Sequence, residues 1–235
     1  MRSTVAIIVP LFNEVEQLPG LLKMLDGLHA DEVVLVDGGS EDGTPDMLEQ
    51  FLHPSFRRSE FRWLQSAKGR AVQMNAGASA CQSDTLLFLH ADSELDPAAI
   101  AAARSVMADH RIAGGRFDLK LSGAHPVLRL IERMINLRSR FTKISTGDQA
   151  MFIRRELLEQ LGGFPEQPLM EDVEFSRRLK QKGRIACLRD TVTTSSRRWE
   201  QCGIFRTILL MWKLRFLYWA GVPPERLAAM YRDAR

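Results

Sequence analysis

At 235 residues, with 45% hydrophobic and 26% charged side chains, the chain has the composition of an ordinary soluble globular protein, sized for one large domain. A net charge of +3 lacks the strong clustered excess of Lys and Arg that marks a nucleic-acid binder, so no nucleic-acid partner is expected. Cys81, Cys187 and Cys202 are odd in number and far apart, which argues against a disulfide framework or a zinc site.

The first apolar run, within "MRSTVAIIVPLFNE", is too short for a signal peptide, and no stretch reaches the roughly 18 uncharged apolar residues of a membrane span. A cytoplasmic location is therefore expected. Val5 to Val9 reads as a strand stopped by Pro10, and Val15 to Leu28 as a helix with Leu18, Leu21, Leu22, Leu25 and Leu28 at helical spacing. Val33 to Val36 is a second strand that runs into Asp37 and two glycines. A helix follows from near Thr44, with Pro45 in its first turn and Asp46 and Glu49 where the helix dipole favours acids. Then come "FRWLQS" as a strand, "GRAVQMNAGASA" as a helix and "DTLLFLHAD" as a strand ending in Asp92. This alternation predicts an α/β fold with a mostly parallel sheet and a ligand site beyond the carboxyl ends of its strands.

Past a helix expected over Pro97 to Met107, the pattern loosens. "GGRFDLKL" alternates as a strand, Pro126 to Phe141 is a basic amphipathic helix, "QAMFIRR" is a strand and Glu171 to Lys182 a charged helix. "RIACLRD" and "TVTTSS" are two further strand-like pieces. The last segment, Ile204 to Tyr231, reads as helix broken at "GVPPE".

An acid closing the second strand also fits a dinucleotide fold, but the first turn there needs G-x-G-x-x-G, and this chain has "VPLFNEVEQLPG". Asp92 suggests another way to handle a diphosphate, through a divalent cation. A strand-end Asp also caps the turn that follows it, and both readings stay open for Asp37 and Asp92.

Six motifs in order, "IIVPLFNE", "VVLVDGGSEDGT", "GRAVQMNAGA", "LLFLHAD", "GDQAMFI" and "MEDVEFSRRL", resemble the family-2 glycosyltransferases of GT-A fold over about residues 4 to 200. Three stretches, "GRAVQMNAGA", "GDQAMFIRR" and "SSRRWEQCG", look like a bacterial subgroup associated with radical-SAM and selenodomain proteins, some of whose members are assigned to arsenosugar biosynthesis. The resemblance implies a single GT-A domain over 1–200, with a Rossmann-like nucleotide-binding half (1–95), an acceptor half (96–200), and a helical extension over 201–235.

By the same resemblance, Pro10, Asn13 and Glu14 line a nucleoside pocket, Asp37 accepts from the imide N–H of uracil, and Lys68 and Arg70 face the base or the diphosphate. Where the family carries D-x-D, this chain has His90, Ala91 and Asp92; Asp92 matches the acid that touches Mg2+ or Mn2+, and His90 puts metal affinity in doubt. Lys68 and Arg70 are alternatively two solvated charges at a helix start. His90 is alternatively a structural histidine, and Asn75, in mid-helix, reads as a packing residue.

The resemblance implies that Asp172 is the general base and that Glu171 orients it or the acceptor. Two acids at a helix start are equally what the dipole alone selects. Gly147, Asp148 and Gln149 are expected at the floor of the acceptor side. Arg198 and Trp199 match part of the Q-x-x-R-W element of processive members, with Ser195 where Gln would stand, so a single transfer is expected.

The expected reaction is thus inverting transfer from a nucleotide sugar, most often a UDP-sugar, to a small-molecule or lipid-linked hydroxyl acceptor. A degenerate nucleotide-binding protein of the same fold and a sugar-nucleotide nucleotidyltransferase are the alternatives. The basic amphipathic segments at 125–143 and 204–221 suit peripheral contact with the inner face of a membrane or packing on the core with a solvated face, and the apolar C-terminal helix suits a homodimer surface.

Overall fold

The computed structural model describes residues 3–52 and 60–233, with the side chains of Arg198, Gln201 and Asp233 outside the described set. Its first part follows the expected alternation: β1 (Val5–Leu11), α1 (Leu18–Gly27), β2 (Glu32–Asp37), α2 (Thr44–Phe51), β3 (Phe61–Gln65), α3 (Arg70–Ala80) and β4 (Thr85–Phe88). The second comprises β5 (Ser93–Leu95), α4 (Pro97–Met107), β6 (Ile112–Leu121), α5 (Pro126–Thr142), β7 (Phe152–Arg154), α6 (Arg155–Gln160), α7 (Glu171–Leu179) and β8 (Arg184–Thr194). Three helices close the chain: α8 (Arg197–Gln201), α9 (Ile204–Trp219) and α10 (Pro224–Asp233).

The eight strands among the described residues form one sheet in the order β3-β2-β1-β4-β7-β6-β8-β5. Strands β1 to β4 pair in parallel, so their carboxyl ends share an edge. β7 then inserts antiparallel between β4 and β6. Along β1 the side chains alternate between two cores: Val5, Ile7, Val9 and Leu11 join the cluster under α1 and α4, while Ala6 and Ile8 join the one under α3 and α7. That is why the strand is apolar without interruption.

Two boundaries differ from expectation. β1 runs through Pro10 to Leu11, because alternate residues bond to opposite neighbours and the ladder to β4 ends at Ile8 with Phe88. The N–H that Pro10 lacks would face that finished side, so its absence costs no ladder bond. The two strand-like pieces near 184–195 are one strand, β8, whose register to β6 slips between Arg116 and Asp118. The residues between Cys187 and Thr191 are the irregularity that divides the sequence pattern.

Outside this sheet, α9 and α10 pack on each other through Leu214 and Leu227 and on Met170 and Val173, at the start of α7. The extension is thereby tied to the segment that carries Glu171 and Asp172.

Candidate functional site

The cleft lies at the carboxyl edge of β4, lined by Arg70, Phe88, His90, Gly147, Phe164, Glu171 and Asp172 among others. Four separate elements deliver its polar residues and Gly147. Arg70 opens α3, His90 follows β4, Gly147 begins a 3-10 turn over Gly147–Gln149, and Glu171 and Asp172 open α7.

Asp172 is the most constrained of them. Its Oδ2 accepts from the Gly147 N–H at 2.7 Å and its Oδ1 from the Val173 N–H at 2.7 Å. These bonds favour the charged form, as does the start of α7. Burial opposes them and prevails: together with the nearby charges of Glu171 and, less strongly, Asp148, it pushes the carboxyl up to about 7. Glu171 is buried beside it and reaches the Arg70 guanidinium at 3.8 Å.

His90 faces Gly147. A Cβ at that glycine would stand 2.5 Å from the His90 Nε2, so only glycine allows the turn to approach. The Nε2 is buried without a hydrogen-bond partner among the described residues. Burial, helped by Arg70, holds the imidazole well below its ordinary value, so it is neutral.

Asp92 lies at the same edge. Burial raises its carboxyl, Arg70 lowers it, and Asp148 adds an upward push. Glu14 is raised by burial and then by Asp92, with Arg197 opposing. These couplings bring Glu14, Asp92, Asp148 and Asp172 into one acidic site balanced by Arg70 and Arg197.

Several expected contact residues have other work. Asp37 is fully buried, and its carboxylate accepts from the N–H groups of Gly39 and Ser40 and from the Ser40 hydroxyl. These bonds organise the loop after β2. Ser40 in turn accepts from the Asn13 N–H, and Asn13 Oδ1 from the Glu41 N–H, which joins the loops after β1 and β2. Pro10 lies inside β1 and Ala91 packs against the core under α1. Lys68 stands over the Phe12 ring at 3.8 Å, a cation–π contact.

On the acceptor side, Gln149 is fully buried and bonds Ser139 Oγ at 3.1 Å and Asn136 Oδ1 at 3.3 Å, so it fixes the 3-10 turn to α5 instead of lining the cleft. Trp199 packs against the small cluster of Leu119, Leu121, Leu128 and Ile131. The Arg198 side chain lies outside the described residues. Its neighbour Arg197 reaches the Gln17 amide oxygen at 3.0 Å, with the amide turned to present that oxygen.

Sequence reasoning missed Arg138 and Gln73. Arg138, on α5, is lowered by burial and held up by the charges of Asp148 and Asp172, and its Nε and Nη2 have no partner among the described residues. Gln73 donates from Nε2 to Leu11 O at 2.6 Å and to Val36 O at 2.9 Å, stapling the ends of β1 and β2. It also fills the space where a Cβ on Gly38 would go, 3.0 Å from its amide. Asn75 bonds the Phe164 backbone in both directions and is the packing residue expected.

Among the described residues no group of three or more His, Cys, Asp and Glu side chains is arranged to hold a metal. A single carboxylate can also meet an ion that arrives on a diphosphate and keeps most of its water, and Asp92 is a carboxylate at this edge that could do so.

Residues 6–162 match the domain described as glycosyl transferase family 2. An undecaprenyl-phosphate 4-deoxy-4-formamido-L-arabinose transferase of Pseudomonas savastanoi pv. phaseolicola is 32% identical over 98 residues, 40% of this chain and 29% of that protein. The probable glycosyltransferase YdaM of Bacillus subtilis is 24% identical over 199 residues, 76% of this chain and 47% of its own. The chain thus spans less than half the length of these two relatives. Among solved structures, a Pyrobaculum calidifontis mannosyltransferase in complex with GDP-Man and Mn2+ superposes with a TM-score of 0.69 at 19% identity, over 100% of this chain and 70% of that one. S. aureus TarS 1-349 in complex with UDP-GlcNAc gives 0.66 at 21% identity, over 82% and 58%. These are GT-A glycosyltransferase structures, and the α/β sheet described above has their fold.

Proposed function

Because the chain belongs to glycosyl transferase family 2, we propose that it moves one sugar from a nucleoside-diphosphate sugar, UDP-sugars first, to an acceptor hydroxyl with inversion at the anomeric carbon. The observation that carries this reading is Asp172: a carboxylate at the cleft, aimed by two backbone N–H groups and raised to about 7, has the proton affinity of a general base working near neutral pH. Asp172 takes the proton of the acceptor hydroxyl as that oxygen attacks the anomeric carbon. The bond from that carbon to the diphosphate breaks, and its electron pair leaves with the phosphate oxygen.

Around that step the other residues bind and orient. Arg70 and Arg197 supply positive charge to the diphosphate, and Asp92 would hold Mg2+ or Mn2+ against it. When bound, such an ion neutralises charge on the leaving group. Neutral His90 can donate or accept a hydrogen bond from a sugar or ribose hydroxyl. Gly147, by lacking a side chain, lets its turn close on His90 while its N–H holds the Asp172 carboxylate. The narrower kinship with the arsenosugar-type subgroup, carried by the three motifs named above, is part of this proposal, as is a lipid-linked acceptor of the kind named in the undecaprenyl-phosphate transferase relatives.

A catalytically silent nucleotide-binding protein is the second reading, favoured by His90 in place of an acid. Asp172→Asn separates the two. Turnover should fall roughly 10²-fold or more, while calorimetry with UDP gives nearly the native constant. Near-normal transfer by a folded Asp172→Asn chain would remove Asp172 as the base. UDP binding by the native chain without hydrolysis or transfer, across a panel of nucleotide sugars and acceptors, would favour the silent reading.

A further inference from the structure

The exposed apolar surface is unevenly distributed. On α9, Phe205, Leu209, Trp212, Phe216 and Trp219 recur every three or four residues and all stand in solvent, Trp219 at 83%. On α5, Leu130, Met134, Leu137 and Phe141 do the same, Phe141 at 79%. Among the described residues, all the exposed large apolar side chains belong to these two stripes. An ordinary helix of a globular protein buries such a stripe and turns its polar face outward. Here each helix also has a buried face of its own, through Leu128 and Ile131 on α5 and Thr207 and Leu214 on α9, so the exposed stripes are a second apolar face.

The helices are neighbours. Ile204 and Ile208 of α9 pack on the cluster that contains Leu128 and Ile131 of α5. The polar residues beside the stripes are of one sign: Arg133, Lys143, Arg206 and Lys213 are exposed, and none of them makes an ion pair among the described residues. α9 contains no acid, and the single acid of α5, Glu132, is buried and bonded to the Leu121 N–H and to Arg129.

We infer that α5 and α9 form one platform that docks on an anionic lipid surface. Apolar stripes supply buried area, the Trp side chains suit the headgroup boundary, and unpaired cations on two helices that expose no acid of their own match anionic headgroups. A second copy of this chain offers the same cations and would set like charges against one another. Among the described residues no helix is long and apolar enough to cross a membrane, so docking would be lateral. The platform is joined to the site at both ends: Gln149 ties the 3-10 turn to Ser139 of α5, and α9 packs on Met170, beside Glu171. On the functional reading above, docking holds the Asp172 side of the cleft near a lipid-borne acceptor.

Co-sedimentation of the whole chain with vesicles tests this without any turnover. Binding is expected to vesicles of equal phosphatidylglycerol and phosphatidylcholine, and to be much weaker with phosphatidylcholine alone. The Trp212→Ser/Trp219→Ser chain should lose about tenfold or more in partition coefficient, and Arg206→Gln/Lys213→Gln roughly fivefold per cation. Because these side chains are in solvent, circular dichroism and the melting temperature should stay native, and UDP binding should be unchanged in both variants. Failure of the native chain to bind phosphatidylglycerol vesicles would overturn the inference, as would binding that the substitutions leave intact. A dimer in light scattering that Trp212→Ser/Trp219→Ser dissociates would assign the surface to a second copy instead. UDP calorimetry and donor hydrolysis in solution report on the transferase reading separately, so either can fail alone.

Discussion

Asp172 is a carboxylate on which three influences disagree. Two N–H donors and a helix start pull its proton affinity down, and burial beside Glu171 pushes it up to about 7. A carboxyl raised in the folded state contributes stability that is complete below its ordinary value of 3.8 and is lost as pH rises through about 7. On the proposed reaction activity has the opposite slope, because only the ionised form accepts a proton. Turnover should therefore rise through about pH 7, while the melting temperature falls between about pH 4 and 7 and levels off above. Asp172→Asn should flatten that fall, which differential scanning calorimetry across the window would measure. Parallel melting curves for the two chains would mean that Asp172 does not titrate there.

The same kind of local competition explains why single residues were the least legible part of the sequence. An acid after an apolar strand is placed at a sheet edge by its pattern, but the pattern does not say where its oxygens point. Asp37 is bonded into its own loop, whereas Asp92 is held by burial among charges that include Arg70 and Asp148. Arg138 was hidden for a related reason, since one buried arginine among five cations on 126–143 looks like the rest of a basic helix.

Elements were read more surely. Strands β1, β2 and β4 show as short apolar runs because they are buried on both faces, and α4 and α5 begin at the expected prolines, Pro97 and Pro126. What one-dimensional patterning omits is contact between distant elements, and Gln73 is the case with the largest consequence. It lies on the buried face of α3, where an apolar residue would continue the pattern, and it satisfies carbonyls of both β1 and β2 at the edge of the site. Gln73→Leu keeps the approximate volume and leaves Leu11 O and Val36 O without that donor. Urea unfolding should show a loss on the order of 1–3 kcal/mol. A loss well under this would mean that water reaches both carbonyls.

Across the whole molecule, the sheet divides the labour. Parallel strands β1 to β4 present Glu14 and Asp92, and the second part of the chain brings Asp148 just before β7 and Glu171 and Asp172 after it to the same edge. Lacking a preformed cluster of metal ligands among its described residues, the protein should take up a divalent ion together with the donor. Transfer should stop with EDTA and recover with Mn2+ or Mg2+, and Asp92→Asn should need about tenfold or more metal for half-maximal rate, because a neutral amide is a poor ligand. Turnover indifferent to EDTA would remove the metal from the reaction.

The Arg70–Glu171 contact joins these two sides, and it is a loose one. At 3.8 Å, with about half of the Arg70 side chain in solvent, it contributes little to stability and can exchange partners at small cost. On the proposed function a diphosphate would be the stronger competitor for the guanidinium, so the donor would take Arg70 and leave Glu171 to the acceptor, which predicts that the donor arrives first. Initial-rate kinetics should give an ordered pattern, with UDP competitive against the donor and noncompetitive against the acceptor, and acceptor alone should produce no heat in calorimetry. A random-order pattern would show that the arginine does not gate the second substrate.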